Sequence, residues 1–237
     1  KVKTFTTTNV DLAKLKAPVY EKFVETTVDD KGVVNSVKFK NDDTFNFAYD
    51  VVDELARKAP SKTAMIHVTN DKKTRRFTFA DLSRYSAQTA NYFADMGIKK
   101  GDRVMLVLKR HYQFWFSILA LHKLGAIVIP ATNQLKDHDF EYRFNAAGVS
   151  AIVCTGDGDV AEEVDKSLAK SPTVKTKIIC GRSKEGWNNF DEDLVKYDTV
   201  FERPADAACG TDTMLMLFTS GTTGYPRIAA HNHKYPL

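Results

Sequence analysis

The chain is poor in the residues that usually announce a function. Its 237 residues include only three cysteines, Cys154, Cys180 and Cys209. Each stands alone, with no CxxC pair and no pairing rhythm, so we expect reduced structural thiols in a reducing compartment and no disulfide framework. No apolar run approaches the roughly 18 residues that a membrane helix needs. The opening KVKTFTTTNVD lacks the apolar core of a secretory signal. Because Lys1 is not methionine, we read the chain as a processed or cut form and expect a cytoplasmic protein. Charge of one sign is also missing: 34 basic against 30 acidic residues leave +4, too weak and too dispersed to argue for nucleic acid. The densest basic run, NDKKTRR (70–76), lies between two apolar runs and reads as a solvated hairpin rather than an anion site. Internal repeats and low-complexity linkers are absent.

What is present is a globular composition, 43% hydrophobic and 27% charged, on a chain long enough for a substantial core. Amphipathic helices alternate with short, nearly all-apolar strands. NFAYDVVDELARK (46–58) sets Phe47, Val51 and Leu55 on one helical face and ends before Pro60. Residues 64–68 and 76–79 read as a hairpin, followed by a helix that Asp81 caps or starts and Gly97 stops. GDRVMLVL (101–108) is a turn feeding a buried strand. YQFWFSILALHKLG (112–125) is a helix so apolar that it must be covered on most sides, with Trp115 and its aromatic neighbours filling core. AIVIPA, AIVC and KIIC are further buried strands, separated by helices over 137–148 and 159–170. Residues 181–210 are polar and irregular, with one short helix at 190–196, and they lead into a final strand, TMLMLFT. Strands buried on both faces with helices between them predict an α/β fold with a mostly parallel sheet and right-handed crossovers.

That last strand runs into LFTSGTTGYPR. Thr219, Ser220, Gly221, Thr222, Thr223 and Gly224 are six consecutive hydroxyl-bearing or glycine residues with almost nothing to bury. Glycine lets the backbone turn its N–H groups into a concave anion nest, and the hydroxyls add donors, so the segment suits phosphate oxygens. The plain alternative, a glycine turn between two strands, needs one or two such residues rather than six. The NTPase pattern G-x-x-x-x-G-K-[ST] does not fit, because no Gly-Lys-Ser/Thr follows Gly221, and Pro226 stands where that loop opens a helix. No G-x-G-x-x-G follows a strand either. Among the other candidates, His231 and His233 in HNH share one strand face, but a metal site needs three or four convergent ligands. Arg110 and His111 stand at the C-terminal end of a strand, where they could line a crevice or simply face solvent. His67, His122 and His138 have no readable role.

LFTSGTTGYPR resembles the phosphate-binding signature of the AMP-forming acyl-CoA synthetases, within the adenylate-forming ligases, a signature that normally ends in Pro-Lys. FTFADLS (77–83) is similar to the family's strand-to-helix motif, and LHKLGAIVIPATNQL (121–135) to its block containing Leu-Gly-Ala and Val-Ile-Pro. RFTFADLS, LKR and VIPATNQL are closest to the branch handling short- and medium-chain fatty acids. The resemblance runs from about residue 46 to 237. It implies the leading part of the large N-terminal domain of an adenylate-forming ligase, with residues 1–45 an N-terminal extension packed on a domain that begins at 46.

The activity implied is a two-step ligation: a small carboxylate and ATP give acyl-AMP, and coenzyme A then takes the acyl group, with Mg2+ assisting. Thr219, Ser220, Gly221, Thr222, Thr223 and Gly224 would cradle the departing phosphates, and Arg227 stands where the family usually has lysine. It keeps the charge but presents a planar fork instead of a point charge. The family's magnesium-ligand block, ribose-binding Asp and late lysine find no match here, so we place no catalytic residue in this stretch and expect residues 1–237 alone to be inactive. Two other readings stay open: a phosphate-binding module without chemistry, and an adenylating relative that delivers its acyl group to another acceptor.

Overall fold

The structure is a computed structural model and describes residues 19–220 and 224–237. Its centre is a seven-stranded sheet made from β5 (Arg103–Val107), β6 (Ile127–Pro130), β7 (Ala151–Thr155), β8 (Thr176–Cys180), β9 (Asn188–Asn189), β10 (Thr213–Thr219) and β11 (Arg227–Asn232), in the order β11-β10-β6-β5-β7-β8-β9. Every ladder is parallel except β10–β11. The central strands are continuous apolar runs because both of their faces are covered. Val104 and Leu106 of β5 point into one core with Val153 and Ile178, whereas Met105 and Val107 point into the other with Ile152 and Ile179.

Helices α2 (Phe79–Asp95) and α3 (Gln113–Leu124) cover the first face; α4 (Asp137–Ala147) and α5 (Val160–Ser167) cover the second. The expected parallel α/β architecture is what the structure has. Gly125 and Gly148 end α3 and α4 in the left-handed conformation, as helix-stopping glycines do. The helix α1 (Glu54–Lys58) is entered through a π-helical turn, Ala48–Asp53. Buried Asn46 anchors that entry: its amide donates to the carbonyls of His122 (2.9 Å) and Ala208 (2.8 Å), and its Oδ1 accepts from the Ala48 N–H (3.0 Å).

Two antiparallel hairpins stand outside the main sheet: β1 (Val24–Val28) with β2 (Val34–Phe39), and β3 (Thr63–Val68) with β4 (Thr74–Thr78). The NDKKTRR run forms the tip and return strand of the second, in solvent, with Lys72 in the left-handed region at φ 63°. Thr78, rather than Asp81, is the N-cap of α2. Asp81 is its capping-box partner, accepting from the Thr78 N–H at 2.9 Å while its own N–H donates to Thr78 Oγ1 at 3.1 Å.

Two expectations need revision. Trp115 does not fill core: it is 50% exposed, whereas Phe116, Leu119 and Leu121 of the same helix are buried. The irregular stretch after residue 181 also hides an edge strand, β9, whose two asparagines have little strand propensity and are recruited by pairing with β8.

Candidate functional site

The loop singled out by its hydroxyls and glycines leaves the C-terminal end of β10. Since β10 runs parallel to β6, and β6 to β5, this is the edge to which the parallel strands point their carboxyl ends. In open α/β sheets ligands bind at that edge, where successive connections leave in opposite directions. Here β5 connects outward to β6 and β7 outward to β8, so the switch lies between β5 and β7.

At the switch, His111 Nε2 lies 2.7 Å from Thr155 Oγ1 and 3.7 Å from Asp157 Oδ2, and partial burial holds its imidazole below the ordinary histidine range. Two open cavities, of about 280 and 430 Å3, adjoin along the same edge and share Lys109, Arg110 and Phe114. Arg110 therefore lines a crevice, as one of its two sequence readings allowed, and exposed Trp115 borders the larger cavity.

The neck of the loop is a hairpin. Thr219 pairs with Arg227 across β10 and β11, and Thr219 Oγ1 donates to the Arg227 carbonyl at 3.2 Å. Thr219, Ser220, Gly224 and Arg227 are all exposed. Gly224 has φ 131°, a conformation that side chains rarely adopt, and open space where a Cβ would sit. Gly221, Thr222 and Thr223 lie outside the described residues. Pro226 precedes a strand and not a helix, in keeping with the rejection of the NTPase pattern.

One residue of this site carried no signal in the sequence. Tyr142, on α4, donates its hydroxyl to the Pro226 carbonyl at 2.8 Å and stacks its ring on Tyr225, with centroids 4.5 Å apart and an interplanar angle of 21°. Its neighbour Arg143 sets its guanidinium 5.3 Å from the centre of the Phe218 ring, on the incoming side of the loop. A contact 84 residues away in sequence is invisible to motif reading.

The HNH histidines part company: His231 packs on the Tyr235 ring at 4.1 Å, whereas His233 is fully buried against His122 with centroids 5.8 Å apart. Among the described residues no group of three or more His, Cys, Asp or Glu side chains is placed to hold a metal ion. Nor is any described helix long and apolar enough to cross a membrane.

The parallel α/β sheet thus presents Thr219, Ser220, Gly224 and Arg227 in solvent at its carboxyl edge, where open α/β sheets bind their ligands. Residues 52–237 match the family described as AMP-binding enzyme, and the chain belongs to that family. It is 35% identical over 195 residues to the rat mitochondrial acyl-coenzyme A synthetase ACSM5, covering 79% of this chain and 33% of that protein. To the human mitochondrial acyl-coenzyme A synthetase ACSM3 it is 34% identical over 196 residues, covering 80% and 33%. The chain thus spans about a third of the length of the curated relatives it matches.

Two solved structures share the fold. An acyl-CoA synthetase from Brucella canis superposes with a TM-score of 0.70 at 24% identity, over 82% of this chain and 34% of that one. The anthranilate CoA ligase AuaEII, in complex with anthranoyl-AMP, gives 0.67 at 23%, over 79% and 36%. The family resemblance seen in the loop is therefore correct. The cytoplasmic expectation is not upheld, because these curated relatives are mitochondrial by name. Cys154 and Cys180 are buried and Cys209 is half-buried, and free thiols carry no address.

Proposed function

We propose that the protein to which this chain belongs is an AMP-forming acyl-CoA synthetase acting on a short- or medium-chain carboxylate. In the first step a carboxylate oxygen attacks the α-phosphorus of ATP, the bond to the bridging oxygen breaks, and pyrophosphate leaves with the electron pair. In the second, the sulfur of coenzyme A attacks the acyl carbon, AMP departs and the thiol proton is released. Residues 1–45 serve as an extension on a domain that begins at 46, and Mg2+ accompanies the nucleotide.

The observation that carries this reading is the family match together with the exposure of Thr219, Ser220 and Gly224 at the carboxyl edge of the sheet. Charge grows on pyrophosphate as it leaves, so donors fixed in place around it lower the barrier. We assign that task to Thr219, Ser220, Gly221, Thr222, Thr223 and Gly224, with Arg227 as the cation of the outgoing strand. Thr219 Oγ1 spends its proton on the Arg227 carbonyl, so Ser220 is the more available hydroxyl of the described pair. No residue of this chain is assigned to bond making or breaking.

The complete protein should catalyse carboxylate-dependent exchange of labelled pyrophosphate into ATP. Release of phosphate from ATP with no carboxylate requirement would identify an ATPase instead. Exchange without any subsequent acyl-CoA would favour a different acyl acceptor.

A further inference from the structure

Among the described residues, the ladder between β10 and β11 ends at the Thr219–Arg227 pair. The contacts that hold the flanks of the loop come from one helix, α4. Pro226 has no N–H, so its carbonyl is its only backbone hydrogen-bonding group, and that carbonyl accepts from Tyr142 at 2.8 Å. Tyr225 is 75% exposed, and the Tyr142 ring stacks on it. On the incoming side, the Arg143 guanidinium over Phe218 is itself held by Asp139 Oδ1 at 3.1 Å.

The helix is a firm mount. Phe140 and Phe144 are fully buried, Asp139 accepts from the Lys136 N–H at 3.2 Å, and Glu163 of α5 accepts from the Asp137 N–H at 3.0 Å. We infer that Tyr142 is a positioning residue for adenylation: by gripping Tyr225 and Pro226 from α4, it sets the direction in which the phosphate loop presents its donors. This rests on the loop being a phosphate site, as proposed above. It adds a residue that touches neither substrate nor reacting atom and acts through the backbone of the loop. A donor displaced by a fraction of an ångström loses much of its value in the transition state, so a hydroxyl remote from the chemistry has a kinetic effect.

A purely structural Tyr142 would lower stability and affect every step alike. A positioning Tyr142 affects only the step in which pyrophosphate departs. The test therefore compares the two half-reactions in the complete protein. Tyr142→Phe removes one hydrogen bond and keeps the stacked ring. Losing a net hydrogen bond is worth about 3- to 10-fold, so kcat/KM for ATP in pyrophosphate exchange should fall by about that factor. Formation of acyl-CoA from synthetic acyl-AMP, which involves no pyrophosphate, should stay at the wild-type rate. Tyr142→Ala, which also loses the stack, should widen the gap between the two half-reactions. Wild-type exchange by Tyr142→Phe would overturn the inference, and so would equal loss in both half-reactions. A wild-type protein with no carboxylate-dependent exchange would overturn the functional reading itself, a distinguishable result.

Discussion

Arg227 stands where the family resemblance leads one to expect lysine, and its place in the fold makes the difference testable. It opens β11 directly opposite Thr219, with an exposed side chain. If it supplies charge to the departing pyrophosphate, Arg227→Ala should cut exchange by roughly a hundredfold, the scale for loss of one well-placed donor. Arg227→Lys keeps the charge without the fork and should retain most of the activity. Exchange assays on the two variants decide it: wild-type activity in both would remove Arg227 from the site. At this scale the sequence exposes donors that are contiguous along the chain, which is why the run from Thr219 to Gly224 stands out. It is silent on Tyr142, whose role depends on α4 lying beneath a loop 84 residues further on. It also misleads at Trp115, because composition says that α3 is covered but not which of its aromatics the neighbouring helix reaches.

Helices and strands were readable wherever one periodicity dominates. The β5, β7 and β8 strands carry the apolar runs 104–107, 151–154 and 178–180, and α2 and α5 carry clear amphipathic patterns between recognisable stops. The order of strands in the sheet was not, since β10 pairs with β6 across more than eighty residues of sequence. Nor could the sequence reveal that α3 and the end of the chain bring His122 and His233 together. Both rings are buried, and none of their four nitrogens has a hydrogen-bond partner in the described structure. Burial therefore pushes His122 down to about 3, and burial pushes His233 down to about 4. Unfolded, both would titrate near 6.5. Between about pH 6.5 and 4 the unfolded chain binds protons that the folded chain refuses, so stability is full above 6.5 and is lost as pH falls. Each ring should cost about tenfold in the folding equilibrium per pH unit in that window. Melting temperature followed from pH 7.5 to 5 in the complete protein should drop, and His122→Leu should flatten the slope. A slope unchanged by that substitution would show that His122 takes up its proton in the folded state.

At the scale of the whole molecule, the proposed function gives this chain one side of a reaction. It spans about a third of the curated relatives it matches, and the donors assigned to it all sit on one loop at one edge of one sheet. Adenylation needs the triphosphate held in line, with charge stabilised at the attacked phosphorus as well as on the leaving group. Among the described residues no group of three or more His, Cys, Asp or Glu side chains is placed to hold a metal ion. Residues 1–237 by themselves should therefore form no acyl-CoA. Groups that act as a unit in catalysis are not additive, so only the direction of the loss is predicted. Folding is a separate matter, because the sheet already has both faces covered, with Phe93, Phe116, Phe140 and Phe144 all buried. The experiment is to incubate the purified chain with ATP, magnesium, butyrate and coenzyme A, following butyryl-CoA by mass spectrometry. A cooperative thermal melt on the same sample separates an inactive fold from an unfolded one. Turnover above the no-enzyme control would mean that bond-making groups lie within these residues and that the loop is not the whole of their contribution.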